Sequence, residues 1–370
     1  MAEPVRPLVI SQQAAWEIGQ YLFDVETQLV QALAYAYQHG QARDAYIVGR
    51  AEMYADFHNR VADLTGDQQQ RGLAAVLERA ARAVIEAGLA QSSYQLKLAP
   101  NQITEFTQHR LAGLVWEANH GLIEGLGDPI GAMLRGIQDA YRQVATETIA
   151  AAAAGQTGRR QATQQAINRY ADLGVTGFTT KDGKRWRTDT YAEMTARTTL
   201  GRAALHAATT LFTDFGYPVV RVTTSPETCP LCAPWEHQLL ALDGITGKRT
   251  FDHAVTGKPV TVNVKATIRE AQEAGLWHPN CRHGIDAYIP GMQSTAPTKP
   301  DPRLYELSQQ QRYLERQARK WERRRDVALS EEVAQAADQR RQAYLARIRA
   351  LTNTTRLKRK PERETTPLPR

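Results

Sequence analysis

Apolar residues recur at three-and-four spacing from near the start of the chain. Trp16, Leu22, Val25, Leu29 and Leu33 form one stripe over residues 11–39 and Gly40 follows as a stop, which predicts a long helix behind an irregular, Pro-bearing arm at 1–10. Leu73, Val76, Leu77, Ala80 and Val84 predict a second helix over 68–87, ended by Gly88. A third runs over 103–123, a Gly-rich break E-G-L-G-D-P occupies 124–129, and helix resumes as far as the alanine run at 150–154. Residues 11–173 therefore read as a helical domain, an elongated bundle whose Trp16 and Trp116 are packing residues. His109 and His120 have no acidic or thiol company and read as ordinary histidines.

The period changes over residues 174–291. G-F-T-T-K-D-G-K-R-W-R-T carries a D-G turn between short runs of Thr and aromatics, the signal of a β-hairpin. Thr190 and Glu193 form a capping box before a helix along Met194, Gly201, Leu205, Ala208 and Phe212, which Gly216 stops. Arg197 lies on that apolar stripe, where a structural ion pair is the leading reading and an anion or partner carboxylate the other. A buried strand at 219–224, short strands with Gly turns over 239–264, and a short helix at 266–274 complete a small module. The fold class expected is α+β: a mostly helical N-terminal half, this module, and a long basic C-terminal helix with a disordered tail.

Beyond Pro290 a Pro/Thr/Ser linker fills 292–302. Leu304, Leu307, Gln311, Leu314, Ala318 and Trp321 then keep helical spacing within a basic helix over 303–351, and Gln311 and Arg325 make the stripe impure. Residues 352–370 lack an apolar face and read as disordered. The net charge is +7, but residues 301–370 hold 18 Lys/Arg against 10 Asp/Glu, so the preceding 300 sum to −1. Arg340, Arg341, Arg347, Arg349, Arg356, Lys358, Arg359 and Lys360 are the candidate nucleic-acid contacts, set against a solvated basic helix. No run of eighteen apolar residues and no charged-then-apolar leader occurs, which predicts no membrane partner.

Candidate chemistry is confined to the three cysteines. Cys229 and Cys232 have C-x2-C spacing, and Cys281 follows about fifty residues later between His278 and His283. Two thiolates from one tight turn and a second Cys/His cluster can close a tetrahedron of sulfur and nitrogen donors, which suits a structural zinc ion. A redox pair and metal-free thiols hydrogen-bonded to histidines are the alternatives. The fourth ligand is open at this stage: His278 and Cys281 have the i, i+3 spacing of a knuckle, whereas Cys281 and His283 share an ion only from a loop. Three unpaired thiols fit a reducing cytoplasm. Neither H-E-x-x-H nor the deaminase order of zinc motifs occurs. Glu236 and His237, beside the knuckle, are the nearest acid–base pair, and a solvated turn is their plain reading.

Four stretches in order, G-F-T-T-K-D-G-K-R-W, Y-A-E-M-T-A-R-T, T-C-P-L-C-A-P-W-E and G-L-W-H-P-N-C-R-H-G-I-D-A-Y-I-P-G, resemble the phage minor capsid protein 2 family, which is related to Mu F-like head morphogenesis proteins of tailed bacteriophages. The resemblance covers 178–291 and places a Mu F-like minor capsid module with a candidate zinc site at 174–291. It implies a non-enzymatic virion component docked on the portal and shell proteins, made in the bacterial cytoplasm and aiding assembly, DNA packaging or ejection. It also implies Cys or His at the position of His283, favouring that residue as the fourth ligand with His278 as the alternative. His237 stands where such relatives have glycine after the W-E pair. Two other functions compete: a zinc-stapled treble-clef nuclease using His237 or His283 as base, and a sequence-independent DNA-binding protein.

Overall fold

Four of the helices begin on a proline, the residue whose fixed φ and missing N–H suit the first helical position. The computed structural model describes residues 6–40, 48–153, 159–174, 177–179, 185–279, 281–292 and 302–365. In chain order the elements are α1 (Pro7–Gly40), α2 (Val48–Thr65), α3 (Asp67–Leu96), α4 (Pro100–Leu126), α5 (Pro129–Ala153), α6 (Arg159–Leu173), β1 (Gly177–Thr179), β2 (Arg185–Arg187), α7 (Thr188–Asp214), β3 (Val219–Val222), β4 (Leu239–Ala241), β5 (Gly247–Asp252), β6 (Pro259–Val264), β7 (Ala266–Thr267), α8 (Ile268–Glu273), β8 (Ile285–Ala287), α9 (Pro302–Asp326) and α10 (Glu331–Thr354). The chain is mostly helical with small sheets, consistent with α+β. Two compact units divide it: residues 1–17, 76–126 and 193–306, and residues 18–75, 127–192 and 307–370.

In the first unit, α3, α4 and α7 approach through small residues. A Cβ on Gly88 would meet Ala204 O at 3.4 Å, and one on Gly125 would meet Thr195 Cγ2 at 2.8 Å. Gly88 therefore ends no helix: α3 runs through it because the missing side chain lets α7 pack close. Gly216, at φ +77°, does end α7, with Tyr217 N donating back to Phe212 O at 2.8 Å. Helix α7 starts at Thr188, two residues before the cap expected at Thr190, and Glu193 pairs with Arg197 one turn on. A capping box is found at Thr267, whose side chain accepts from Glu270 N while Glu270 receives Thr267 N. The main sheet has the order β7-β4-β3-β8, and β5 and β6 form a separate hairpin. Val219, Val220 and Val222 of the central β3 are at most 1% exposed. Val219, Leu239, Ala241, Val264 and Tyr288, joined by Phe251 and Val262, form a small core.

In the second unit the apolar stripe of α1 is buried as its spacing predicts: Leu22, Leu29 and Leu33 are inaccessible. Phe57 stacks on Tyr141 with ring centroids 4.7 Å apart. The β1–β2 hairpin forms in the register Phe178↔Trp186, and its D-G turn lies outside the described residues. Three expectations are corrected. The N-terminal arm gives way to helix from Pro7, since that proline is a helix start; residues 1–5 are outside the described set. The single basic helix is two, because Val327 and Leu329 bury between α9 and α10 while Gln164 accepts from Leu329 N at 2.6 Å and donates to Val327 O at 3.4 Å. Leu314 and Ala318 then pack on Leu345 and Ile348. The tail does not lose its structure at 352: Leu357 and Glu364 are buried, Gln311 Nε2 donates to Lys358 O at 3.0 Å, and order extends to residue 365. The linker stretch 293–301 and residues 366–370 lie outside the described set.

Candidate metal centre

The central strand β3 delivers the chain into a tight turn in which Cys229 O accepts from both Cys232 N, at 3.1 Å, and Ala233 N, at 3.0 Å. That turn aims two thiols one way. The second half-site follows α8, through Gly275 and Trp277 at φ +98° and +56°, to a turn closed by Cys281 N donating to His278 O at 2.9 Å. Trp277 is 7% exposed and donates its indole N–H to His283 O at 2.8 Å, bracing the second half-site.

The five donors fall into two overlapping groups, Cys229–Cys232–His278 and Cys232–Cys281–His283, each with its ligand atoms within 4.8 Å of one another. These groups could hold a metal. Cys232 Sγ is 3.5 Å from Cys281 Sγ, Cys229 Sγ is 3.0 Å from His278 Nε2, and Cys281 Sγ is 3.4 Å from His283 Nδ1. Tetrahedral zinc with bonds of about 2.3 Å to sulfur and 2.0 Å to nitrogen places its donors about 3.5–3.8 Å apart; these three pairs are near that spacing, and a four-ligand site would need the two groups to draw together around Cys232. Each histidine also has its second nitrogen occupied: His278 Nδ1 on Pro279 O at 2.8 Å, and His283 Nε2 on Glu236 Oε1 at 2.8 Å with Thr228 Oγ1 at 3.2 Å. Such backing fixes the ring of a metal-bound histidine.

Electrostatics point the same way. The hydrogen bond from the Cys232 thiol holds Cys281 down to about 4 against the effect of burial, with His283 adding to it. Cys232 is pushed up by that same bond and by burial. Burial alone would lower the pKa of His283, but its bonds to Cys281 and Glu236 raise it. The centre thus favours a thiolate and holds one thiol proton that a metal would displace.

Glu236 is not on a solvated turn. It is 6% exposed and accepts from Ser225 N at 2.8 Å as well as from His283, a role that the W-E pair after the knuckle could have signalled. His237 stands apart from it, at φ +63°, with its N–H on Val222 O at 3.1 Å. That left-handed conformation is the one glycine adopts freely. Trp116 is 64% exposed and stacked on His120, which overturns its reading as packing; Trp16 is buried. Of the basic candidates, Arg340, Arg347, Arg349, Arg356 and Lys358 are exposed. Arg341 is bound to Glu322 at 3.0 Å, Arg359 to Glu364 at 2.6 Å, and Lys360 is half-buried.

The chain matches phage minor capsid protein 2 over residues 51–353. It belongs to that family. The matched span takes in the metal centre and most of both units, so membership is not carried by the cysteines alone. The chain is also 25% identical over 238 residues to a "Structural protein" of Lactococcus phage LL-H, covering 61% of each. It thus spans about three-fifths of that relative's length. No solved structure matches. The family is one of phage structural proteins, and among the described residues no helix is long and apolar enough to cross a membrane.

Proposed function

We infer that the protein is a non-enzymatic component of the phage virion, docked in the head on the portal or an adjoining shell protein, where it aids assembly, packaging or ejection after synthesis in the host cytoplasm. Within it, Cys229, Cys232, Cys281 and His283 hold a structural zinc ion, His283 binding through Nδ1 with Glu236 behind it. The observation that carries this reading is the closed character of the centre. Glu236 and His283 are 6% and 3% exposed and hydrogen-bonded to each other, so the nearest acid and base serve the site rather than face a substrate. A hydrolytic zinc site keeps a position open for water, and the donor set here exceeds four. His278, the alternative ligand, closes the opposite side of Cys229. The exposed arginines on α10 support a second role, sequence-independent contact with packaged DNA.

The test is a Cys232→Ser phage with mass spectrometry of purified virions. The protein should be found in wild-type virions, bind about one zinc, and lose both metal and soluble yield in the variant, with fewer infectious particles. His283→Ala should lose metal and His278→Ala keep it; the reverse result reassigns the fourth ligand. Virions without the protein would overturn its place in the head, and a metal-free, normally stable wild type would overturn the staple.

A further inference from the structure

The hydrogen bonds of β3 alternate. Val222 N donates to Gln238 O and Leu242 N to Pro218 O, so the even residues pair with the β4 side, while Thr223 N donates to Gly284 O and Tyr288 N to Val219 O, so the odd residues pair with the β8 side. With Arg221 opposite Asp286, the inward groups of β8 belong to Gly284, Asp286 and Tyr288. The N–H and C=O of Ile285 and Ala287 consequently point away from the sheet. One is already taken: Ala287 N donates at 3.0 Å to Gln95 Oε1 on α3, and Gln95 Nε2 donates to Asp286 Oδ1 at 2.6 Å. Gln95 thus behaves as a one-residue substitute for a neighbouring strand.

Beyond Gln95 the edge opens into a cavity of about 330 Å³ within the first unit, walled by α3, α7 and β8. Arg6, Arg221 and Arg282 line it, against Asp286 as its one carboxylate. Arg282 is neutralised by Glu227 at 2.5 Å, but Arg221 lies over the Tyr288 ring at 5.5 Å, and among the described residues neither it nor Arg6 makes an ion pair. The outward backbone groups of β8 suit an extended chain. A strand adding to an open edge draws affinity from main-chain hydrogen bonds and specificity from alternate side chains.

We propose that this cavity is a docking site for an extended, acidic peptide segment, which pairs with the outward N–H and C=O of Ile285 and the C=O of Ala287 and places a carboxylate on Arg221. That the segment belongs to another head protein rests on the function inferred above; the chemistry of the cleft does not.

The experiment uses the full chain with two acetylated octapeptides, one alternating aspartate with valine and one alternating lysine with valine, so its outcome is independent of whether virions contain the protein. Binding is read by fluorescence anisotropy and by residue-resolved hydrogen exchange. The acidic peptide should bind, the basic one should not, and exchange of the Ile285 amide should slow about tenfold in the complex, the equivalent of about 1.4 kcal/mol. Arg221→Glu should weaken binding at least about tenfold. Gly201→Leu, at a cavity-lining position where an added Cβ meets nothing within 4 Å, should block the cleft without loss of fold. Equal binding of both peptides, no binding, affinity unchanged in both variants, or an Ile285 amide already slow in the free protein would overturn the proposal; the last result would mean that the chain covers its own edge.

Discussion

His237 allows the backbone of the metal module to be tested apart from its chemistry. Its φ of +63° costs an L-residue about 1–2 kcal/mol relative to glycine. Glycine also raises the entropy of the unfolded chain, which returns about 0.5–1 kcal/mol of that gain. His237→Gly should therefore be stabilising by roughly 0.5 kcal/mol, whereas His237→Ala keeps the strain and loses the imidazole. The Gly–Ala difference isolates the backbone and should be about 0.5–1 kcal/mol in favour of glycine. Equilibrium guanidinium unfolding of zinc-loaded protein, followed by tryptophan fluorescence, measures it, because Trp235 and Trp277 flank the centre. Alanine as stable as glycine would refute the strain argument. The same variants separate the functions: a nuclease with His237 as base would lose plasmid nicking in both, while a structural protein would show no nicking to lose.

Elsewhere, Arg187 lies 2.5 Å from the 1%-exposed Glu26, so Arg187→Met, which strands a buried carboxylate, should cost about 3–5 kcal/mol in chemical denaturation, and a loss below about 1 kcal/mol would show the pair to be solvated. Burial raises the pKa of Glu315 despite Arg363, Arg319 and Lys360 nearby. A carboxyl with a raised folded pKa is stabilising when protonated, below about 4.3, and that contribution is lost as pH rises through the folded value. Glu315→Gln should therefore gain on wild type from pH 4 to pH 7 in thermal melts; an advantage that shrinks over that range would reverse the sign. If α10 touches phosphate, changing Arg340, Arg347 and Arg349 to alanine should weaken binding to all DNA sequences alike and flatten the dependence of log K on log salt by about three; an unchanged slope assigns these charges to solubility or a protein partner.

The helices that sequence makes legible are those whose stripe is built of large side chains. α1 and α3 were readable from Leu and Val spacing, whereas α6 buries mainly Ala162, Ala166, Ile167 and Tyr170, a stripe too small in side-chain volume to stand out. α2 carried Phe57 and Val61 four apart and was readable in principle. The break between α9 and α10 had a sequence signal as well, Ser330 before Glu331 and Glu332, but charged residues on both sides of it, 322–326 and 331–332, let the stretch read as one helix. What no local pattern reveals is long-range satisfaction. Gln164 supports the α9–α10 corner from 163 and 165 residues away, and Gln95 caps β8 from 191 and 192. At the centre itself, the cysteine spacing pointed to side chains that the fold does bring into two groups able to hold a metal, while the burial of Glu236 depended on two turns meeting that lie 47 residues apart.

That separation is also the reason a metal suits this place. The strands of the main sheet are two to four residues long, and the packed core beside them rests on five buried side chains. Between the two halves of the centre the chain makes a hairpin, a short parallel strand and one six-residue helix, none of which could persist alone. A link between Cys232 and Cys281 spans 49 residues. Closing a loop of that size on folding costs about 4 kcal/mol of chain entropy, a large fraction of what an ordinary domain has to spare, and metal binding by the folded chain would offset it. The stabilisation comes from binding to the folded chain, which alone assembles the donors, and asks for no open coordination position, no exposed base and no substrate cleft. Cys232 is common to both donor groups and buried, so its loss should open the whole loop.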